Sequence, residues 1–252
     1  MTFHLNPLDF ITYLQGFPAE VSALLTFFLC AGSVLIAVRY FGSLGLFTYT
    51  VVALVVANIQ VLKISPFIFY DNTIALGTIV FSSIFLCHDI LTEQFGITVA
   101  KKSIRIGFFT FLFFTLAMIF TMGFPVTPTT NAQEIQNSLQ SLFVPVPALF
   151  IASLTAYIIS QYNDIWIFDR LKGTTGSKFL WARSLVSTGI ASLVDSIIFS
   201  VLAWVVFAPE PMDWNTLVYT YILGTYLLRL GIAVLNIPVL YAAKRLMSAH
   251  VY

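Results

Sequence analysis

Arg183-Ser-Leu-Val-Ser-Thr-Gly-Ile-Ala-Ser-Leu-Val-Asp195-Ser-Ile-Ile-Phe-Ser-Val-Leu-Ala-Trp-Val-Val-Phe207 decides what kind of protein this is. It exceeds the roughly 20 apolar residues that cross the hydrocarbon core of a bilayer. After Arg183 its one charged residue is Asp195. A carboxylate at the centre of hydrocarbon costs at least roughly 2.5–3.5 kcal/mol, so such a residue faces a partner or a watery cavity rather than lipid. The stretch therefore implies a polar site inside a membrane.

The whole chain agrees with its one decisive segment. Charged residues are 9% of the sequence, against about 25% in a soluble domain. Hydrophobic residues reach 59%, and mean hydropathy is +0.92. A soluble fold of this length would expose a mostly apolar surface. The apolar runs are continuous, not the alternating segments of a membrane barrel. The expected class is all-α: a polytopic membrane helix bundle in a single domain over residues 1–252. A net charge of +1 without a basic block argues against nucleic acid. Cys30 and Cys87 fall inside apolar runs and read as small core residues, not as a disulfide or metal pair. The N-terminus lacks a basic n-region, and the first apolar run is too long for a signal peptide.

Hydropathy predicts seven spans, at about 20–39, 44–63, 73–92, 105–123, 143–162, 182–207 and 216–242. Gly42-Ser43 makes a turn between the first two, and Pro66 breaks the chain after the second. Phe124 to Pro128 opens the longest loop. Pro209 and Pro211 end the sixth span, and Pro145 and Pro147 start the fifth. Basic residues orient the bundle. Arg39, the group Lys101, Lys102 and Arg105, the group Arg170, Lys172, Lys178 and Arg183, and the pair Lys244 and Arg245 share one side. That holds if the N-terminus is outside and the C-terminus inside. Lys63 is the one basic residue left on the outer side.

Polar residues recur at helical spacing within these spans. Ser184, Thr188, Ser192 and Asp195 line one face of span six. Tyr226, Arg229 and Asn236 share a face of span seven. Asp195 and Arg229 lie at comparable depth, so the simplest expectation is a pair. It either pins the register of two helices or opens to admit a solute. Ser82, Phe85, Asp89 and Glu93 align on span three, with His88 pointing elsewhere as a packing residue. Asn58 and Gln60 lie in span two. Ser153, Tyr157, Gln161 and Asp164 align at the end of span five. Five polar stripes point to a shared cavity. Spans one and four are uniformly apolar and are expected to face lipid or a partner.

Several of these residues also carry a family pattern. Asn58-Ile-Gln-Val-Leu-Lys63 and Cys87-His-Asp-Ile-Leu-Thr-Glu-Gln-Phe-Gly96 resemble N-x4-K and D-x3-E-x2-G motifs. Ala152-Ser-Leu-Thr-Ala-Tyr157, Ser160-Gln161 with Asp164, Trp181 with Arg183 and Ser187-Thr188, and Asp195-Ser196 with Phe199 extend the likeness almost continuously. Asn236-Ile-Pro238 fits the final span, where this chain has Arg229 in place of a frequent Lys. Together they resemble the queuosine-precursor transporter family, also called the vitamin uptake transporter family, over residues 50 to about 245. The resemblance implies a six-helix core at 44–245 preceded by an extra helix at 1–43. It also implies import of 7-cyano-7-deazaguanine, its aminomethyl relative or queuine across a bacterial inner membrane.

Such bases present adjacent N1–H and amine donors that one carboxylate accepts together. Asp89, Glu93 and Asp195 are the candidate acids, which are also candidates for ion or proton coupling. Asn58, Gln161, Lys63 and Arg229 are candidate donors to the ring carbonyl. Phe85, Tyr157, Phe199 and Tyr226 are candidate stacking partners, and Asn236 completes the proposed binding set. No cofactor, metal or ATP-binding loop is expected, so the energy source stays open. His88-Asp89-x3-Glu93 lacks the H-E-x2-H spacing of a metalloprotease, and His4 and His250 are terminal. No G-x-S-x-G elbow occurs. The competing readings are a carrier for another vitamin-like or nucleobase solute, an intramembrane enzyme, and a structural membrane protein.

Overall fold

The computed structural model describes residues 7–143, 146–176, 178–208 and 210–248. His4, Pro145, Pro209 and His250 thus lie outside the described residues. A short exposed helix α1 (Pro7–Gln15) precedes α2 (Ala19–Gln60). At about 1.5 Å per residue, the 42 residues of α2 would run to twice the roughly 30 Å hydrocarbon thickness. The helix breaks at Gly42, where φ is 59° and ψ −135°. A side chain is strained there, and glycine is not. The break separates two arms where the Gly42-Ser43 turn is expected.

The next segment departs from the hydropathy reading. Residues 64–75 form an antiparallel hairpin, β1 (Ile64–Phe67) and β2 (Tyr70–Ala75), pairing Ile64 with Ala75 and Ser65 with Ile74. The third helix, α3 (Thr78–Gln94), therefore starts later than the expected span at 73. Pro66 cannot donate within a helix, and Gly77 turns the chain with φ at 89°. Apolar character alone does not separate a short strand from a helix end.

Helix α3 is buried on every side from Thr78 to Thr92. It is the central post of the bundle, in contact with α2, α4 (Ile97–Met122), α6 (Val146–Thr175), α7 (Leu180–Val201) and α9 (Thr225–Ser248). The loop after Phe124 holds an exposed helix α5 (Thr130–Phe143). Helix α6 continues well past the expected end of span five, which puts Gln161 and Asp164 in mid-helix. Helix α7 runs on as a π-helix over Leu202–Val206. The short α8 (Trp214–Thr216) leads through a second π-helix, Leu217–Gly224, into α9.

Four helical stretches among the described residues are long and apolar enough to cross a membrane: α2, α4, Leu180–Val206 and Trp214–Met247. Helices α3 and α6 fall outside that set because α3 is short and α6 carries polar residues. Large apolar side chains such as Phe28, Phe109, Phe113 and Phe120 face outward, as suits a lipid-facing surface. Helix α4 also has a second face that touches the core. Tyr157 of α6 packs so closely on Gly107 that an added Cβ would lie 2.5 Å from its hydroxyl.

Gly77 joins the hairpin to α3 against the end of α2. A Cβ there would meet the Ala57 carbonyl oxygen at 2.5 Å, in a backbone conformation that already disfavours side chains. Gly77→Ala should lower stability by about 1–3 kcal/mol, read as a reduced melting temperature of the detergent-purified protein. An unchanged melting temperature would show that this junction is not tightly packed.

Candidate functional site

The polar stripes converge around α3 in three tiers. The first tier lies toward the hairpin. Asp195 of α7 accepts hydrogen bonds from Ser160 of α6 at 2.9 Å and from Arg229 of α9 at 2.5 Å. Asp195 and Arg229 form an ion pair, each nearly excluded from its surroundings. The Arg229 guanidinium also lies 4.9 Å from the centre of the Phe81 ring, a favourable cation–π placement. Its Nε is buried and has no hydrogen-bond partner among the described residues.

A cavity opens on this pair. Asn58, Gly77, Thr78, Phe81, Ser153, Asp195, Ser196, Phe199, Tyr221, Thr225 and Arg229 are among its walls. Its free volume is about 50 Å³, space for a few waters but not for a bicyclic base. Ser153 donates to Asn58 Oδ1 at 2.5 Å, and Asn58 donates back to the Leu54 carbonyl at 2.8 Å. The second π-helical segment adjoins the cavity through Tyr221. Such irregular turns are frequent at functional sites. A wider cleft of about 1110 Å³ between α1, the start of α2 and the hairpin shares Leu76, Gly77 and Thr78 with it.

The second tier is about two turns further along α3. Ser184 of α7 donates to Asp89 Oδ2, and Thr188 of α7 donates to Asp164 Oδ1 at 3.4 Å. His88 bridges Gln161 at 2.6 Å and Ser103 at 3.2 Å, tying α3 to α6 and α4. It is thus a buried polar bridge to Gln161 and not the plain packing residue expected of it. Asp89, Gln161 and Asp164 are all buried. Tyr157 is also fully buried, and its hydroxyl has no partner among the described residues.

The third tier closes the far end. Glu93, at the end of α3, meets Arg183 of α7 at 2.8 Å, Lys244 of α9 at 2.8 Å and Lys172 of α6 at 3.5 Å. Lys172 also donates to the Thr92 and Glu93 carbonyls, where a cation suits a helix C-terminus. Arg183 is almost wholly buried and lies over the Phe168 ring. It behaves as an interior ion-pair residue, although its sequence position suggested a loop charge.

Asp195, Arg229, Asn58 and Phe199 thus meet in one cavity. Asp89 and Gln161 lie below it, and Glu93 lies below them. Phe85 sits behind Phe81 in an edge-to-face contact at 5.8 Å and does not line the cavity. Tyr157 packs against α4, and Asn236 is buried in α9. Tyr226 also lies off the cavity walls. Phe81 and Tyr221 form those walls, yet neither stands out from spacing: an aromatic among many on an apolar helix carries no signal. Asp164 was visible in its stripe, but only the packing of α6 against α7 pairs it with Asp89.

Comparison with known proteins bears on this arrangement. Residues 75–243 match the family model described as "Putative vitamin uptake transporter". The chain is 30% identical over 214 residues to the "Probable queuosine precursor transporter" of Bacillus subtilis (strain 168), covering 84% of this chain and 89% of that protein. A protein of the same description from Haemophilus influenzae is 28% identical over 128 residues, 51% of each chain. No solved structure matches. The family match covers α3, α4, α6, α7 and most of α9, though not α2 with Asn58, and the chain belongs to this vitamin uptake transporter family: it is an integral membrane transporter of a small molecule, not an enzyme.

Proposed function

We propose that the chain imports a queuosine precursor, a 7-deazapurine base, across the bacterial inner membrane by alternating access. The observation that carries this reading is the Asp195–Arg229 pair in the wall of the hairpin-side cavity. Asp195 presents two carboxylate oxygens with lone pairs to spare. Beside it, Arg229 Nε is a buried donor without a partner. Two acceptors and a donor complement the amine, N1–H and carbonyl of a guanine-like edge. Phe81 and Phe199 supply flat apolar walls for the ring. The names of the two relatives favour the same ligand class. A cationic 7-aminomethyl group or queuine side chain would find Asp89 and Glu93 on its way inward.

The basic residues put the Glu93 end in the cytoplasm and the hairpin outside, with seven crossings and the N-terminus outside. In that frame the cavity faces outward, and Glu93 with its three cations is the closed inner gate. The narrow cavity implies that a base enters as the walls around Phe81, Phe199 and the hairpin part. Import then requires the outer walls to close and the Glu93 cluster to separate.

The direct test uses cells unable to make queuosine. Supplying this chain with 7-cyano-7-deazaguanine, the aminomethyl base or queuine, each separately, should restore queuosine in tRNA for at least one base. Restoration by none of them, with the protein present in the membrane, refutes the assignment and favours another nucleobase-like or vitamin-like solute. Asp195→Asn should abolish uptake while the protein still inserts. Wild-type uptake by that variant would remove Asp195 from the binding site. Glu93→Gln should weaken the inner gate. A Ser184→Cys reporter should then react faster with a thiol reagent applied from the cytoplasmic side, and an unchanged labelling rate would argue against gating at Glu93.

A further inference from the structure

Matching the interior charges against one another leaves a remainder. Arg229 is paired with Asp195. Glu93 holds Arg183, Lys172 and Lys244. Among the described residues, neither Asp89 nor Asp164 joins an ion pair, although both are almost wholly buried. Each has one oxygen satisfied by a hydroxyl of α7: Ser184 for Asp89 and Thr188 for Asp164. The other oxygens, Asp89 Oδ1 and Asp164 Oδ2, are buried and have no hydrogen-bond partner among the described residues.

The two acids belong to one site. Ser184 and Thr188 are four residues apart on α7, so they are neighbours on one helical face, about 5–6 Å apart at Cβ. Through them one face of α7 brings the carboxyl groups of α3 and α6 to neighbouring positions. Two adjacent carboxylates in a low-dielectric interior repel strongly. Arg183 is near enough to attract Asp89, but its guanidinium is engaged by Glu93, Thr175 and the Gly176 carbonyl. The other facing groups are His88, held between Gln161 and Ser103, and Glu93 with Lys244 of α9. None of these supplies a positive charge to Asp164.

We propose that Asp89 and Asp164 form a site for one monovalent cation, a sodium ion or a proton, that travels with the substrate. The carboxylate oxygens and the Ser184 and Thr188 hydroxyls are hard oxygen donors, the ligand type that suits a hard cation. A proton would bond to one carboxylate oxygen and be shared toward the other. The site lies between the substrate cavity and the Glu93 gate. A cation there relieves the repulsion between α3 and α6, and so biases how these two helices pack. Only the co-transport step rests on the transport reading above; cation binding itself does not.

Thermal unfolding of the purified protein tests the site without any substrate. Replacing choline by sodium at constant ionic strength, or lowering the pH, should raise the melting temperature of the wild type. Asp164→Asn and Asp89→Asn, each removing one of the two charges, should lose that response. A sodium response lost in the variants identifies sodium, and an acid response lost in the variants identifies the proton. A wild type indifferent to both, as when water alone bridges the acids, overturns the proposal, and so does an equal response in both variants. In proteoliposomes an inward gradient of the identified cation should drive wild-type accumulation of the base. Asp164→Asn should only equilibrate it. Equilibration by the wild type despite cation binding would overturn the co-transport step alone.

Discussion

A buried charge in a membrane interior has to be answered by another group, and the bundle is arranged around that requirement. The effective penalty for taking an ion out of water is several kcal/mol even after relaxation. Asp195 sits where hydrocarbon would otherwise surround it, and Arg229 and Ser160 answer it from two other helices. A pair of this kind holds three helices in register only as long as it is intact. Any event that gives Asp195 a different partner also loosens α7 from α9. A ligand able to offer donors to Asp195 therefore competes directly with the interaction that sets the helix arrangement. That links binding to movement without a separate device.

The same requirement organises the vertical order of the site. Helix α3 is surrounded on all sides, so its polar residues have only other helices to meet. Phe81 meets Arg229 and Asp89 meets Ser184. Glu93 meets a cation from each of α6, α7 and α9. The pairing is densest at the basic end, where Glu93 meets three cations, and sparsest between the two ends, where Asp89 and Asp164 meet only hydroxyls among the described residues. An end held by three ion contacts closes more firmly than one framed by a two-stranded hairpin and one π-helical turn. Within the Glu93 cluster the buried Arg183 contact is the strong one, because Lys172 and Lys244 are partly exposed and exposed ion pairs contribute little each.

The helical membrane class, the turn at Gly42 and the mid-membrane partnership of Asp195 with Arg229 were all legible in the linear chain. Each rests on a local or one-dimensional signal: run length, a glycine beside a polar residue, or two charges at equal depth. The hairpin was not legible. The sequence placed a break at Pro66 and began the next helix at 73, and nothing local showed that this connection pairs as two strands whose Tyr70 and Ile74 meet the π-helical turn around Gly224. Arg183 read as a loop charge because basic residues cluster around it, yet the end of α6 folds over it.

By itself the amino-acid sequence determined that this chain crosses a membrane and carries polar faces that cannot be spent on lipid. The reason is energetic and local: the transfer cost of each residue type does not depend on its partners. Which faces meet was decided only by tertiary structure. Spacing along a helix says that Asp164, Ser184 and Asp89 each point inward, but not that α7 presents its hydroxyls to both acids at once. Partner choice depends on helix rotation, crossing and length, such as the extra turns of α6 that carry Asp164 to mid-bundle. Those are set by the packing of all the helices together.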